Sequence, residues 1–273
     1  MFKGSITALI TPLKNGKVDE KAFQDLIEWQ INQGSHGFVP CGTTGESPTL
    51  THEEHERVID LCIEAANGKV PVIAGTGSNS TDEAISLTKF SKGAGADAAL
   101  VVTPYYNKPT QKGLYHHFKA INDSCDLPII IYNIPGRSVV DINIETMKKL
   151  AKLKNIIGVK DSSNDLTRPL LTTKSIGKNF CQISGEDATV VPFLSQGGHG
   201  CISVTANIAP RMCSDLHNAW QKGNFKKVFF NSCEYILASF LLCLIHELTL
   251  GNFKFNIEDC ISEILELVPC SFA

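Results

Sequence analysis

A chain of 273 residues, 43% hydrophobic and 19% charged, can bury a sizeable core and is too apolar to stay disordered. A net charge of −3 with no Lys/Arg-rich stripe argues against a nucleic-acid partner and favours a small-molecule substrate. The ten cysteines stand singly, as at Cys41, Cys62, Cys125 and Cys181, so they read as buried small hydrophobes rather than as a disulfide or zinc framework.

In chain order, short apolar runs occur at SITALITP, GFVPCGTT, VPVIAGTG, DAALVVTPYY, PIIIYNIP, NIIGVKDSS, FCQISGED and HGCISVTA. Several are continuous in Val, Ile and Ala, as expected of parallel strands covered on both faces. Amphipathic segments lie between them: Phe23, Leu26, Ile27 and Ile31 after the first run, and Val58, Ile59, Cys62 and Ile63 after the second. Ser80 to Glu83 reads as a capped helix start, and Gly68, Gly93 and Gly177 as helix stops. Eight strands, each followed by a helix at spacings of roughly 25 to 30 residues, predict a closed (β/α)₈ barrel over residues 1–224. Residues 225–273 read as an atypical C-terminal helical region with a thin polar face. The start, MFKGSITALITP, lacks a charged segment before a long apolar run, and the longest apolar stretch, residues 236–245, is too short to cross a bilayer. A cytoplasmic protein that binds no membrane is therefore expected. No Gly-x-Gly-x-x-Gly or P-loop is present, so neither a dinucleotide nor a nucleotide phosphate is expected.

In such a barrel the chemistry belongs at the C-terminal ends of the strands. Those ends carry Thr43, Thr44 and Glu46; Tyr105 and Tyr106; Tyr132 and Arg137; Lys160; Gly185 and Glu186; and Ser203 and Thr205. Lys160 follows a buried run. An ammonium stripped of hydration releases its proton more readily, and a neutral amine can attack a ketone to form an imine. From spacing alone, a strand-end lysine that snorkels to water or pairs with Asp161 is the stronger reading. Rim packing is likewise the simpler account of Tyr105, Tyr106 and Tyr132, although a phenol beside Lys160 could move protons. The Arg137 fork suits a carboxylate or a surface ion pair equally. The Gly-Thr-Thr-Gly turn at 42–45 offers hydroxyls and open N–H groups. His52 and His55 sit one turn apart and read as solvent-exposed. No His pair has metal-ligand spacing joined to a carboxylate, so no metal is expected.

Taken together, GSITALITP, CGTTGESPTL, PVIAGTGSNSTDEAI, VVTPYYNKPTQKGLYHHFKAI, LPIIIYNIPGR, NIIGVKDSS, ISGED and GGHGCISVTANIAP resemble the dihydrodipicolinate synthase and N-acetylneuraminate lyase superfamily. The resemblance implies a lyase that condenses pyruvate with L-aspartate 4-semialdehyde in lysine and diaminopimelate biosynthesis, with no cofactor beyond a pyruvate imine on Lys160. It makes Tyr132 the general acid/base, linked through Thr43 to a Tyr106 supplied by a neighbouring subunit of a dimer or tetramer. Thr44 and Thr43 would hold the pyruvate carboxylate and Arg137 that of the semialdehyde, with Gly185 and Ile202 contributing backbone groups. Ser47, His52, His55, Asn79, Glu83 and Tyr105 match an inhibitory L-lysine site between barrels. Tyr-Asn-x-Pro-x-Arg at 132–137 favours the synthase branch over the sugar-handling branch. The resemblance ends near Glu234, where an Asn-Pro-x-Pro-x-Lys segment is expected and is missing. Two alternatives stay open: another 2-oxo-acid aldolase of the superfamily, or a non-catalytic homologue that only binds ligand.

Overall fold

The computed structural model describes residues 1–232 and 235–236. Each apolar run forms a strand: β1 (Gly4–Ala8), β2 (Gly37–Val39), β3 (Ile73–Gly75), β4 (Ala98–Val102), β5 (Ile129–Asn133), β6 (Ile156–Asp161), β7 (Cys181–Ser184) and β8 (Gly200–Ser203). They pair in parallel in the order β2-β1-β8-β7-β6-β5-β4-β3. The remaining seam closes where Phe38 bridges Val72, with Phe38 N–H on Pro71 C=O at 3.0 Å and Gly75 N–H on Pro40 C=O at 3.0 Å. The eight strands thus form the expected barrel.

Alternation along each strand sorts the apolar side chains into two layers. Ile6, Ile73, Leu100, Ile130, Ile183 and Ile202 fill the barrel interior. Ile129, Ile131 and Val159 face outward and pack under Leu114, Phe118 and Met147 of the helical layer. The helices are α1 (Glu20–Asn32), α2 (His52–Ala66), α3 (Thr81–Ala94), α4 (Gln111–Ser124), α5 (Ile144–Leu150), α6 (Arg168–Ile176), α7 (Val190–Ser195) and α8 (Pro210–Gln221), with an extra turn at Pro135–Ser138. Side chains cap most of the starts, as in the reciprocal box at α2. There Thr51 Oγ1 accepts from Glu54 N–H at 3.2 Å and Glu54 Oε2 accepts from Thr51 N–H at 3.0 Å.

Two secondary-structure elements differ from expectation. Helix α3 runs through Gly93 and stops at Gly95, whose φ of +99° lets its N–H fold back onto the Ser91 and Lys92 carbonyls. A small hairpin, Leu13–Lys14 with Lys17–Val18, follows β1. Its Asn15-Gly16 turn has positive φ at both residues, as the Asn-Gly pair favours. Of the C-terminal region expected over 225–273, residues 225–232 are helical and the rest lies almost wholly outside the described residues. Tyr235 is buried against Val190, Cys201 and Leu216 and donates its hydroxyl to Asp187.

Burial holds the His117 imidazole on α4 down at about 4 and that of His217 on α8 at about 3, well below the ordinary value of 6.5. Below about 6.5 the unfolded chain takes up protons that the folded state refuses, so stability falls as pH drops. For His117 the loss is expected between about pH 6.5 and 4 and amounts to ~3 kcal/mol. Denaturant unfolding across this range should show the slope, and His117→Gln should make it shallower, leaving the share that His217 contributes. A wild-type slope in that variant would contradict the assignment.

Candidate active site

The end of β5 and the end of β6 are joined so that Tyr132 and Lys160 are direct register partners. Both residues are 6% exposed. Lys160 Nζ sits 4.1 Å from the centroid of the Tyr132 ring, a cation–π distance. This excludes a lysine that snorkels to bulk water. Asp161 is not its partner either, because that carboxylate is engaged by Arg168 Nε at 3.1 Å and by Ser163 N–H at 2.9 Å.

Tyr132 also walls a cavity of about 260 Å³ at the C-terminal mouth of the barrel, lined further by Gly42, Thr43, Ser47, Tyr105, Ile134 and Arg137. The chain builds this mouth from tight loops. In the turn after β2, Gly45 N–H bonds Gly42 C=O at 3.1 Å, Glu46 N–H bonds Thr43 C=O at 3.1 Å, and Thr11 Oγ1 donates to Gly45 C=O at 2.8 Å. A Cβ on Gly45 would stand 2.9 Å from Leu9 C=O, and one on Gly75 only 2.1 Å from Cys41 C=O, so both close approaches need glycine. Thr43 is exposed at the turn and Thr44 is half-buried beside it. Arg137 is exposed in the one-turn helix after β5, free to reach over the cavity.

Other expected residues take up different positions. Gly185 lies at the end of β7 beside Lys160: a Cβ there would meet Lys160 Cε at 2.9 Å and Ser162 Oγ at 1.8 Å. Ile202 is buried in the barrel interior on β8. Tyr106 is 90% exposed and holds φ at +71°, a backbone state that costs a bulky residue roughly 1–2 kcal/mol. His52 and Glu83 form an ion pair at 2.5 Å on the surface, where Glu83 also accepts from Ser78 Oγ. Asn79 C=O accepts from Asn107 Nδ2 at 3.0 Å. His55, expected at the surface, is buried and donates Nε2–H to Gly75 C=O at 2.8 Å. It braces the backbone behind the cavity because it falls on the inward stripe of α2 with Val58, Ile59 and Cys62.

Glu186, directly after Gly185 at the end of β7, is half-buried next to this site. Burial and the neighbouring Asp187 charge push its carboxyl up, while the Lys160 and Arg137 charges pull it back. The signal available in the sequence was its place directly after Gly185 at a strand end. Chemically, the site combines a buried amine, a phenol in contact with it, an adjacent carboxyl and an arginine at the entrance. Such a set can form an imine, move protons and hold an anionic substrate.

A profile of the Dihydrodipicolinate synthetase family matches residues 1–246. The chain belongs to this family. It is 68% identical over 228 residues to a 4-hydroxy-tetrahydrodipicolinate synthase of Rhodospirillum centenum, covering 84% of this chain and 78% of that one. Among solved structures, the chloride-inhibited dihydrodipicolinate synthase of Acinetobacter baumannii complexed with pyruvate is 43% identical, with a TM-score of 0.86 over 94% of this chain and 92% of that one. The Cyanidioschyzon merolae enzyme with lysine bound is 39% identical, with a TM-score of 0.83 over 86% of this chain and 81% of that one.

The contact at Gly185 makes a prediction of its own. Gly185→Ala should destabilise the fold by about 1–3 kcal/mol through overpacking. Adding Ser162→Ala, which removes the nearest atom, should restore part of that loss in a double-mutant cycle. Equal stability of the wild type and Gly185→Ala would contradict the packing described.

Proposed function

We propose that this chain is a 4-hydroxy-tetrahydrodipicolinate synthase that condenses pyruvate with L-aspartate 4-semialdehyde. The observation that carries the reading is the buried Lys160 amine in contact with the Tyr132 ring, next to a cavity entered past Arg137. Family membership, and relatives of this name at 58–68% identity, support it.

On this reading the Lys160 amine attacks the pyruvate ketone. The carbinolamine loses water to give an imine, with Tyr132 as the group that donates and recovers the protons. Loss of a methyl proton gives the enamine, whose carbon attacks the aldehyde of the semialdehyde. The substrate's own amine then closes on the imine carbon, expelling Lys160 and forming the ring. Thr43 and Thr44 hold the pyruvate carboxylate, Arg137 binds that of the semialdehyde through its planar fork, and Gly185 and Ile202 supply backbone groups. Since the protonated imine on Lys160 is itself the electron sink for loss of the methyl proton, the reaction calls for no metal or further cofactor.

The exposed, strained Tyr106 is the residue that joins the proton path of a neighbouring subunit through Thr43, which makes the working enzyme a homodimer or homotetramer. Among the described residues no helix is long and apolar enough to cross a membrane. An enzyme that acts on small water-soluble metabolites of amino-acid biosynthesis is proposed to work in the cytoplasm. Ser47 and Tyr105 on the cavity wall, together with Asn79, Glu83, His52 and the buried His55, are proposed as the site of inhibition by L-lysine. The lysine-bound relative supports this reading. A ligand ammonium would compete with His52 for Glu83, and His55 would act from behind by fixing Gly75.

A coupled assay with pyruvate and the semialdehyde tests the reaction. Lys160→Ala should lower kcat by roughly 10³-fold or more, and Tyr132→Phe by roughly 10²-fold. Turnover of sugar-derived aldehydes in preference to the semialdehyde would favour the other aldolase branch. Saturating lysine should depress the wild-type rate and spare Glu83→Gln; an unchanged wild-type rate would reject the inhibitory site.

A further inference from the structure

Behind the reacting pair lies a polar network that the reaction as written does not use. Tyr132 and Lys160 are each followed by a polar residue, Asn133 and Asp161, and these two are also register partners. Strand alternation turns them away from the barrel interior toward the helical layer. Asn133 Nδ2 donates to Asp161 Oδ2 at 3.2 Å and to Asp141 Oδ1 at 2.8 Å, while its Oδ1 accepts from Ile142 N–H at 3.1 Å. Arg168, in the first turn of α6, spreads its guanidinium over three acceptors. Nε meets Asp161 at 3.1 Å, Nη1 meets Asp141 at 2.8 Å and Nη2 meets Ile142 C=O at 2.7 Å. The Arg168 side chain is 20% exposed and that of Asp161 9%, so this pair is shielded from water.

One cation therefore ties the end of β6 to the far end of the loop that carries Arg137, and Asn133, bonded to both carboxylates, joins the end of β5 to them. The geometry points to Arg168 as a positioning residue for the condensation. Through Asp161 it fixes the backbone of Lys160 in register with Tyr132, and through Asp141 and Ile142 it fixes the Arg137 loop over the cavity. This rests on the roles given above to Lys160 and Arg137. A lysine at 168 could neutralise one carboxylate but could not span three acceptors with a planar fork.

The test is steady-state kinetics on full-length wild type, Arg168→Lys, Arg168→Ala and Asp141→Asn, each with its thermal unfolding curve. Arg168→Lys should lose on the order of 10- to 100-fold in kcat, the scale of a small misplacement of reacting groups, and should raise KM for the semialdehyde. Added guanidinium should restore much of the rate to Arg168→Ala. Asp141→Asn, which keeps an oxygen for Asn133 but removes the charge that faces Arg168, should raise KM for the semialdehyde several-fold and leave KM for pyruvate near the wild-type value. A merely structural role would lower apparent kcat in step with the folded fraction, leave both KM values in place and give no rescue. That pattern, or wild-type kinetics in Arg168→Lys, overturns the inference. If Arg168→Ala does not fold, Arg168→Lys and Asp141→Asn decide by the same criteria. A wild type without turnover overturns the reading of the site itself, and the inference with it.

Discussion

Holding a lysine amine in the wall of a barrel, out of bulk water and against an aromatic face, is the constraint around which this molecule is organised. The strand places Lys160 by a register of one residue: β6 pairs with β5 so that Lys160 meets Tyr132 and Asp161 meets Asn133. A slip by one residue would turn the amine out to the helical layer and bring the carboxylate into the mouth. Much of the surrounding sequence can be understood as preventing that slip. Ile130 and Ile183 fill the interior beneath the pair, and Ile129, Ile131 and Val159 lock the outer face under α4 and α5.

The glycines and the bracing polar groups follow from the same constraint. Lys160 fits because Gly185 has no side chain, since a methyl group there would collide with Ser162 and press on the lysine stem. The cavity in front stays open because Gly75 lets the loop after β2 pass within van der Waals reach, braced from behind by His55. Opposite charges balance around the site rather than within one ion pair. Glu186 stands near Lys160 and Arg137, and Asp161 is given to Arg168. The amine is thus left to the aromatic face and to whatever enters the cavity.

The barrel was legible because eight apolar runs and the helical stripes between them carry two different periods, and each run became a strand. The end of α3 was misplaced by two residues because Gly93 and Gly95 offer the same residue type, and only the backbone conformation separates them. The strand ends could be read from the sequence, whereas the place of Lys160 could not: spacing favoured a lysine that snorkels to water or pairs with Asp161. What decided against that pairing was Arg168, a residue on the next helix with no local signal in the sequence. His55 was misread for a similar reason. Its spacing from His52 suggests a shared exposed face, yet one turn of α2 carries it onto the buried stripe.

The most direct test of the central claim is to add pyruvate, reduce with borohydride and map the adduct by peptide mass spectrometry. A single stoichiometric adduct, with the mass of a reduced pyruvyl group, is expected on the peptide containing Lys160, and it should be lost in Lys160→Ala. Folded wild-type protein that yields no adduct, or yields one on a different lysine, would contradict it.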